Sequence, residues 1–96
     1  MKTLKISTKD PVGFIDDIID KIDTNSIRTW GYNDDIFYHK GRQYIDHVYF
    51  EYKIDEDKGI IEFILQSDGN EFAELKVPHL LEEMLLRHFE SKVAIL

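Results

Sequence analysis

Apolar and polar positions alternate most cleanly over two stretches, residues 47–55 and 59–67. In the first, Val48, Phe50, Tyr52 and Ile54 interleave with His47, Tyr49, Glu51 and Lys53; in the second, Ile61, Phe63 and Leu65 interleave with Ile60, Glu62, Ile64 and Gln66. Side chains on a strand switch faces at every residue, so each stretch predicts a strand with one dominant apolar face. Gly59 suits the left-handed position that closes the short connection Glu56-Asp57-Lys58-Gly59. Setting Ile54 opposite Ile61 brings Tyr52 to Phe63, Phe50 to Leu65 and Lys53 to Glu62. Each such pair contributes roughly 0.2–1 kcal/mol, and a slip of one residue sends the apolar row to the wrong face.

The remaining pattern predicts further elements. Leu4 and Ile6 alternate over residues 3–7 as a short first strand. Asp10 can cap a helix and Pro11 fits its first turn; Val12, Ile15, Ile18, Ile19 and Ile22 then share one helical face, with Asp16, Asp20 and Asp23 opposite. Asn25 is suited to a left-handed helix end. Residues 27–32 and 35–39 read as two strand pieces around Asn33-Asp34, Lys40-Gly41-Arg42 as a turn, and Ser67-Asp68-Gly69-Asn70 as a second tight turn. Residues 71–76 read as a short last strand or an extended lead-in, and a strand is expected. Pro78 is expected to open a final helix whose stripe is Val77, Leu81, Met84, Leu85 and His88, with Leu80 and Phe89 on its flanks and Leu86 pointing away. The apolar tail 93–96 is expected to pack back, add an edge strand or meet a second chain. The order β-α-β-β-β-β-(β)-α predicts an α+β two-layer sandwich, an antiparallel meander of about five strands with two helices on one face.

Composition narrows the class. Ninety-six residues suit a single domain, 1–96, with one core. Cysteine is absent, which excludes disulfides, thiolate metal sites and a thiol nucleophile, and fits a reducing compartment. The N-terminal residues lack the apolar run of a secretory signal, and no stretch is long and apolar enough to span a bilayer, so a cytoplasmic protein is expected. A formal charge of −7 argues against nucleic acid and anionic membrane as partners. It suits solubility or a basic protein partner.

No motif specifies catalysis. The glycines stand singly, without a phosphate-cradling loop; no serine sits in a nucleophile elbow; no two histidines share the spacing of a helical metal site. No catalytic residue, metal or cofactor is therefore assigned. Residues 29–44 are nonetheless dense in rings and charges. Read functionally, they form a ligand or partner patch, Trp30, Tyr32, Asp35, His39, Arg42 and Tyr44, in which Trp30 and Tyr32 supply rigid contact area and Arg42 a polar anchor. Read structurally, the aromatics pack inward while Asn and Asp build turns. An adjacent-strand arrangement of Asp34 or Asp35 with His39 and His47 is a conceivable metal site that lacks further ligands. His88, on an apolar stripe near a helix C-terminus, reads as a partly buried imidazole. Tyr49, Ile60, Ile64, Leu86 and the tail leave apolar surface that suits a homodimer.

Thr29-Trp30-x-Tyr32, Phe37-x-His39 and Glu83-Met84-Leu85-Leu86-x-His88-Phe89 together resemble a group of small uncharacterised bacterial proteins, most specifically at the C-terminal end. That group often carries a His-Gly pair before the last helix, where this chain has Val77-Pro78-His79. The resemblance implies a fold, singles out Trp30, His39 and His88, and brings no activity with it. The leading functional expectation is a non-enzymatic protein-interaction or regulatory module, for example an immunity-type inhibitor whose acidic patch steers it to a basic target. The alternative is a small ligand-binding protein or enzyme with a pocket around Trp30, Asp35, His39 and His47. A third reading is a structural subunit buried through its tail and mixed sheet face.

Overall fold

In a computed structural model, which describes residues 3–96, the chain runs β1 (Thr3–Ser7), α1 (Pro11–Asp23), β2 (Trp30–Asn33), β3 (Ile36–His39), β4 (Val48–Asp55), β5 (Ile60–Ser67), α2 (Glu71–Phe89) and β6 (Ala94–Ile95). Met1 and Lys2, the start of the N-terminal segment read above, lie outside this range. The long hairpin has the expected register: Ile54 opposes Ile61, Tyr52 opposes Phe63, Phe50 opposes Leu65 and Lys53 opposes Glu62. Gly59 adopts φ +66°. A Cβ there would come within 2.7 Å of the Thr8 carbonyl oxygen, because the Thr8 N–H donates to the Gly59 carbonyl at 2.8 Å and ties the hairpin turn to the end of β1.

The sheet is antiparallel with the order β2-β3-β4-β5-β1-β6. β2 to β5 form the meander. β1 adds beside β5 rather than beside β2, so α1 carries the chain back across the sheet. The tail resolves its three options by pairing with β1 as a sixth strand, Ile6 opposite Ile95 and Ser7 opposite Ala94. The apolar row of the sheet (Ile6, Phe37, Phe50, Ile61, Phe63, Leu65) and the inner faces of both helices form one buried cluster. Tyr52 is half-buried at its margin.

Three local expectations need correction. Val12 is 43% exposed, and Phe14 takes its place among the buried residues of α1. Phe14 meets Phe89 edge-on at 4.8 Å between centroids. Residues 71–76 are not a strand. They are the first turns of α2, and Pro78 lies inside that helix instead of opening it. The helix starts earlier because Asn70 caps it, its side-chain oxygen accepting from the Ala73 N–H at 3.0 Å, while Glu71 and Glu74 sit in the first turn where the helix dipole favours negative charge. Ala73, Val77, Leu81 and Leu85, each four apart, then form a continuous buried line. Packing along that line outweighs the hydrogen bond that Pro78 cannot donate.

The turns follow their chemistry. Asp34 and Asp35 both adopt positive φ, +49° and +64°, the conformation of the two-residue hairpin turn whose twist matches its strands. Asn25 closes α1 at φ +63°. Gly69 takes φ +99°, and the Ser67 and Asp68 side chains accept from the Gly69 and Asn70 N–H groups at 3.0 Å each.

Candidate functional site

The β2–β3 hairpin has two ends, and the residues singled out between 29 and 44 divide between them. At the open end Trp30 pairs across the strands with His39, and the two rings meet edge-on at 5.3 Å. His39 meets Tyr44 edge-on at 5.1 Å. Tyr44 stacks on Phe72 of α2 at 5.9 Å and 15°. These contacts make a ladder that climbs from the core to the surface: Trp30 is 1% exposed and Phe72 is 60% exposed. The Gly41 N–H donates to His39 Nδ1 at 3.0 Å, so in the neutral ring the hydrogen sits on Nε2. Burial holds the His39 imidazole below its ordinary value.

Behind that ladder lies a crevice of about 200 Å³. Its sheet side is Thr29, Trp30 and His39, and its helix side is Leu80, Met84 and His88, with the exposed residues Glu83 and Arg87 beside them. The helical residues fall at 80, 83/84 and 87/88, the spacing that points them to one flank of α2. His88 is held below its ordinary value by burial, and secondarily by the Lys21 and Arg87 charges. Trp30, His39 and His88, the three positions that the resemblance singled out, therefore line one small space.

At the turn end, the Tyr32 hydroxyl donates to Asp35 Oδ1 at 2.8 Å and lies 3.4 Å from the Tyr52 hydroxyl. The neighbouring Tyr52 hydroxyl, burial and the Asp35 carboxylate all raise the Tyr32 phenol above its ordinary range. Asp34, Asp35 and Glu51 face an open recess of about 540 Å³ there. Arg42 stands exposed in the 40–47 connection. His47 engages Asp68 instead of His39: its Nδ1 lies 2.7 Å from Asp68 Oδ2, and this contact is the main reason the Asp68 carboxyl lies below its ordinary value.

A pocket joining Trp30, Asp35, His39 and His47 is therefore not formed. Asp35 sits at the far end of the hairpin and His47 is paired with Asp68. Among the described residues no three His, Asp or Glu side chains gather as a metal site requires. A wider recess of about 690 Å³ at the β4–β5 turn is lined by Lys5, Lys53, Glu62 and the turn carboxylates. It belongs to the uncovered outer face, where Lys53, Glu62 and Lys5 lie in one cross-strand row.

Sequence reasoning missed Leu80 and Arg87 as crevice residues and Phe72 and Leu75 as surface residues. The signal for the first pair was the helical spacing just described. The second pair was hidden by reading residues 71–76 as a strand. No protein-family model, curated protein or solved structure matches this chain. Among the described residues no helix is long and apolar enough to cross a membrane.

Proposed function

We propose that this chain is a small non-enzymatic interaction module that docks a basic protein partner through the N-terminal half of α2. The observation that carries this reading is the exposure of two large apolar side chains three residues apart on one helix, Phe72 at 60% and Leu75 at 66%. The buried face of α2 there is supplied by Ala73 and Val77. Phe72 is also held in place from below by the stacked Tyr44 ring. A rigid aromatic projecting beside a second apolar side chain is the arrangement from which binding hot spots are built. Glu71 and Glu74 lie in the same helical turns, and the chain carries a net charge of −7, so a partner with basic side chains around an apolar pocket is steered to this flank. A regulator of the immunity type, which occupies a basic target without chemistry of its own, has these properties.

The test is affinity capture from the native cell with the wild-type chain and with the Phe72→Ser, Leu75→Ser double variant. Both positions are exposed, so the variant is expected to keep the wild-type circular dichroism, losing only the Tyr44–Phe72 stack at about 0.5–1.5 kcal/mol, while its basic partner is lost. Retention of the same partner by the folded variant overturns the reading. So does a wild-type chain that sediments as a dimer held by this patch, because the occupant is then a second copy.

A further inference from the structure

We propose that the crevice between the open end of the β2–β3 hairpin and α2 is a binding site for a small monocarboxylate with an apolar body of about one ring. The site is separate from the docking patch and does not depend on it. Its floor is Trp30, a side chain 1% exposed whose indole N–H makes no hydrogen bond among the described residues. Yet no buried side-chain nitrogen or oxygen among those residues is sealed from solvent without a partner. Nε1 must therefore keep a sliver of open surface, and the crevice is the space that Trp30 lines. A nearly buried donor left open toward a cavity is a hydrogen bond awaiting an acceptor.

The other polar groups match it. With Nδ1 of His39 occupied by the Gly41 N–H, Nε2–H is the free donor of that ring. The Thr29 hydroxyl adds a third group, and the exposed Arg87 guanidinium, which makes no ion pair among the described residues, adds a cation. Among the described residues, Glu83 is the one carboxylate on the wall. A space with several donors and a cation, flanked by Leu80 and Met84, suits two acceptor oxygens at one end of an apolar body. The volume agrees: an apolar cavity of about 150 Å³ holds benzene, and this one is about 200 Å³. A phosphate dianion fits less well, because Glu83 opposes the second charge and the apolar walls leave its outer oxygens without donors.

The chain's single tryptophan provides the readout, one indole N–H cross-peak in a ¹H–¹⁵N spectrum of the full chain. Benzoate, acetate, inorganic phosphate and benzyl alcohol are titrated separately. Benzoate is expected to shift that peak downfield to saturation and to bind about tenfold tighter than benzyl alcohol or phosphate, with acetate weaker for want of the ring. Arg87→Gln, at an exposed position, is expected to weaken benzoate about tenfold without moving the unfolding midpoint. The Phe72→Ser, Leu75→Ser variant is expected to bind benzoate as the wild type does, so failure of the docking reading and failure of this one are distinguishable. No saturable shift with benzoate up to about 50 mM, equal binding of benzyl alcohol, tighter binding of phosphate, or an Arg87→Gln variant that binds normally each overturns the proposal.

Discussion

The two ends of the β2–β3 hairpin are four residues apart, share an amino-acid vocabulary and behave as opposites. At the open end Trp30 and His39 are drawn inward against Tyr44, Phe50 and α2. At the turn end Tyr32 and Asp35 satisfy each other at the surface, with Tyr52 alongside. The difference arises from what each end is covered by, not from its residues. α2 passes over the open end and leaves a crevice, while Asn33, Asp34 and Asp35 at the turn end are exposed. A cluster of rings and charges in sequence is thus no guide to a cluster in space.

Truncation at each end of the hairpin separates covered from exposed packing. Trp30→Ala removes an indole that is 1% exposed from beside Phe50 and is expected to cost about 3–5 kcal/mol, read as a lower urea midpoint with unchanged slope. A cost near zero would place Trp30 at the surface and dissolve the distinction between the ends. The middle of the hairpin tests the same point more gently. Gly31 is buried although it lies on the uncovered face, because the ring of its cross-strand partner Tyr38 lies over it. A Cβ at Gly31 would collide with that ring. Gly31→Ala is expected to cost about 1–2 kcal/mol as the ring swings away. In Tyr38→Ala the same substitution is expected to cost much less, and a double-mutant cycle measures the difference.

At the turn end, Tyr32→Phe deletes a hydrogen bond between groups that water can serve equally well. The expected loss is about 0.5–1 kcal/mol. Spectrophotometric titration of the tyrosines should lose its most alkaline component in this variant, since the Tyr52 contact, burial and Asp35 all oppose ionisation of Tyr32.

Legibility in the sequence followed the same division between local and tertiary causes. The β4–β5 register could be read because two eight-residue strands alternate and pair their apolar residues and their Lys53–Glu62 charges in one alignment only. The start of α2 could not. Ala73, Leu75 and Val77 alternate with Glu74 and Lys76 as a strand would, and Pro78 imitates a helix start. The helix that forms instead keeps Ala73 and Val77 and leaves Phe72 and Leu75 in water. Where local pattern and actual fold disagree at a visible cost in exposed apolar surface, a functional reason is the natural explanation. The crevice was legible only by half. Trp30, His39 and His88 were singled out, but their meeting depends on how α2 crosses the sheet, which no spacing within 29–44 encodes.

The crevice histidines and Asp68, in the turn between β5 and α2, titrate in separate pH windows. His39 and His88 are both held below the ordinary histidine value of 6.5, chiefly by burial. Between that value and their folded values the unfolded chain binds more protons, so stability rises with pH through this window and falls as the solution is acidified. Asp68, by contrast, lies below its ordinary 3.8, chiefly through its bond with His47. Its contribution is present above that value and disappears only as pH falls through the folded one. Urea midpoints measured between about pH 7.5 and 5.5 should therefore decline, with a shallower slope in His39→Gln and an unchanged slope in Asp68→Asn over the upper part of that range. An Asp68→Asn variant that flattened the decline while His39→Gln left it intact would move the near-neutral titration away from the crevice, and with it the claim that burial beneath α2 is what sets the open end apart.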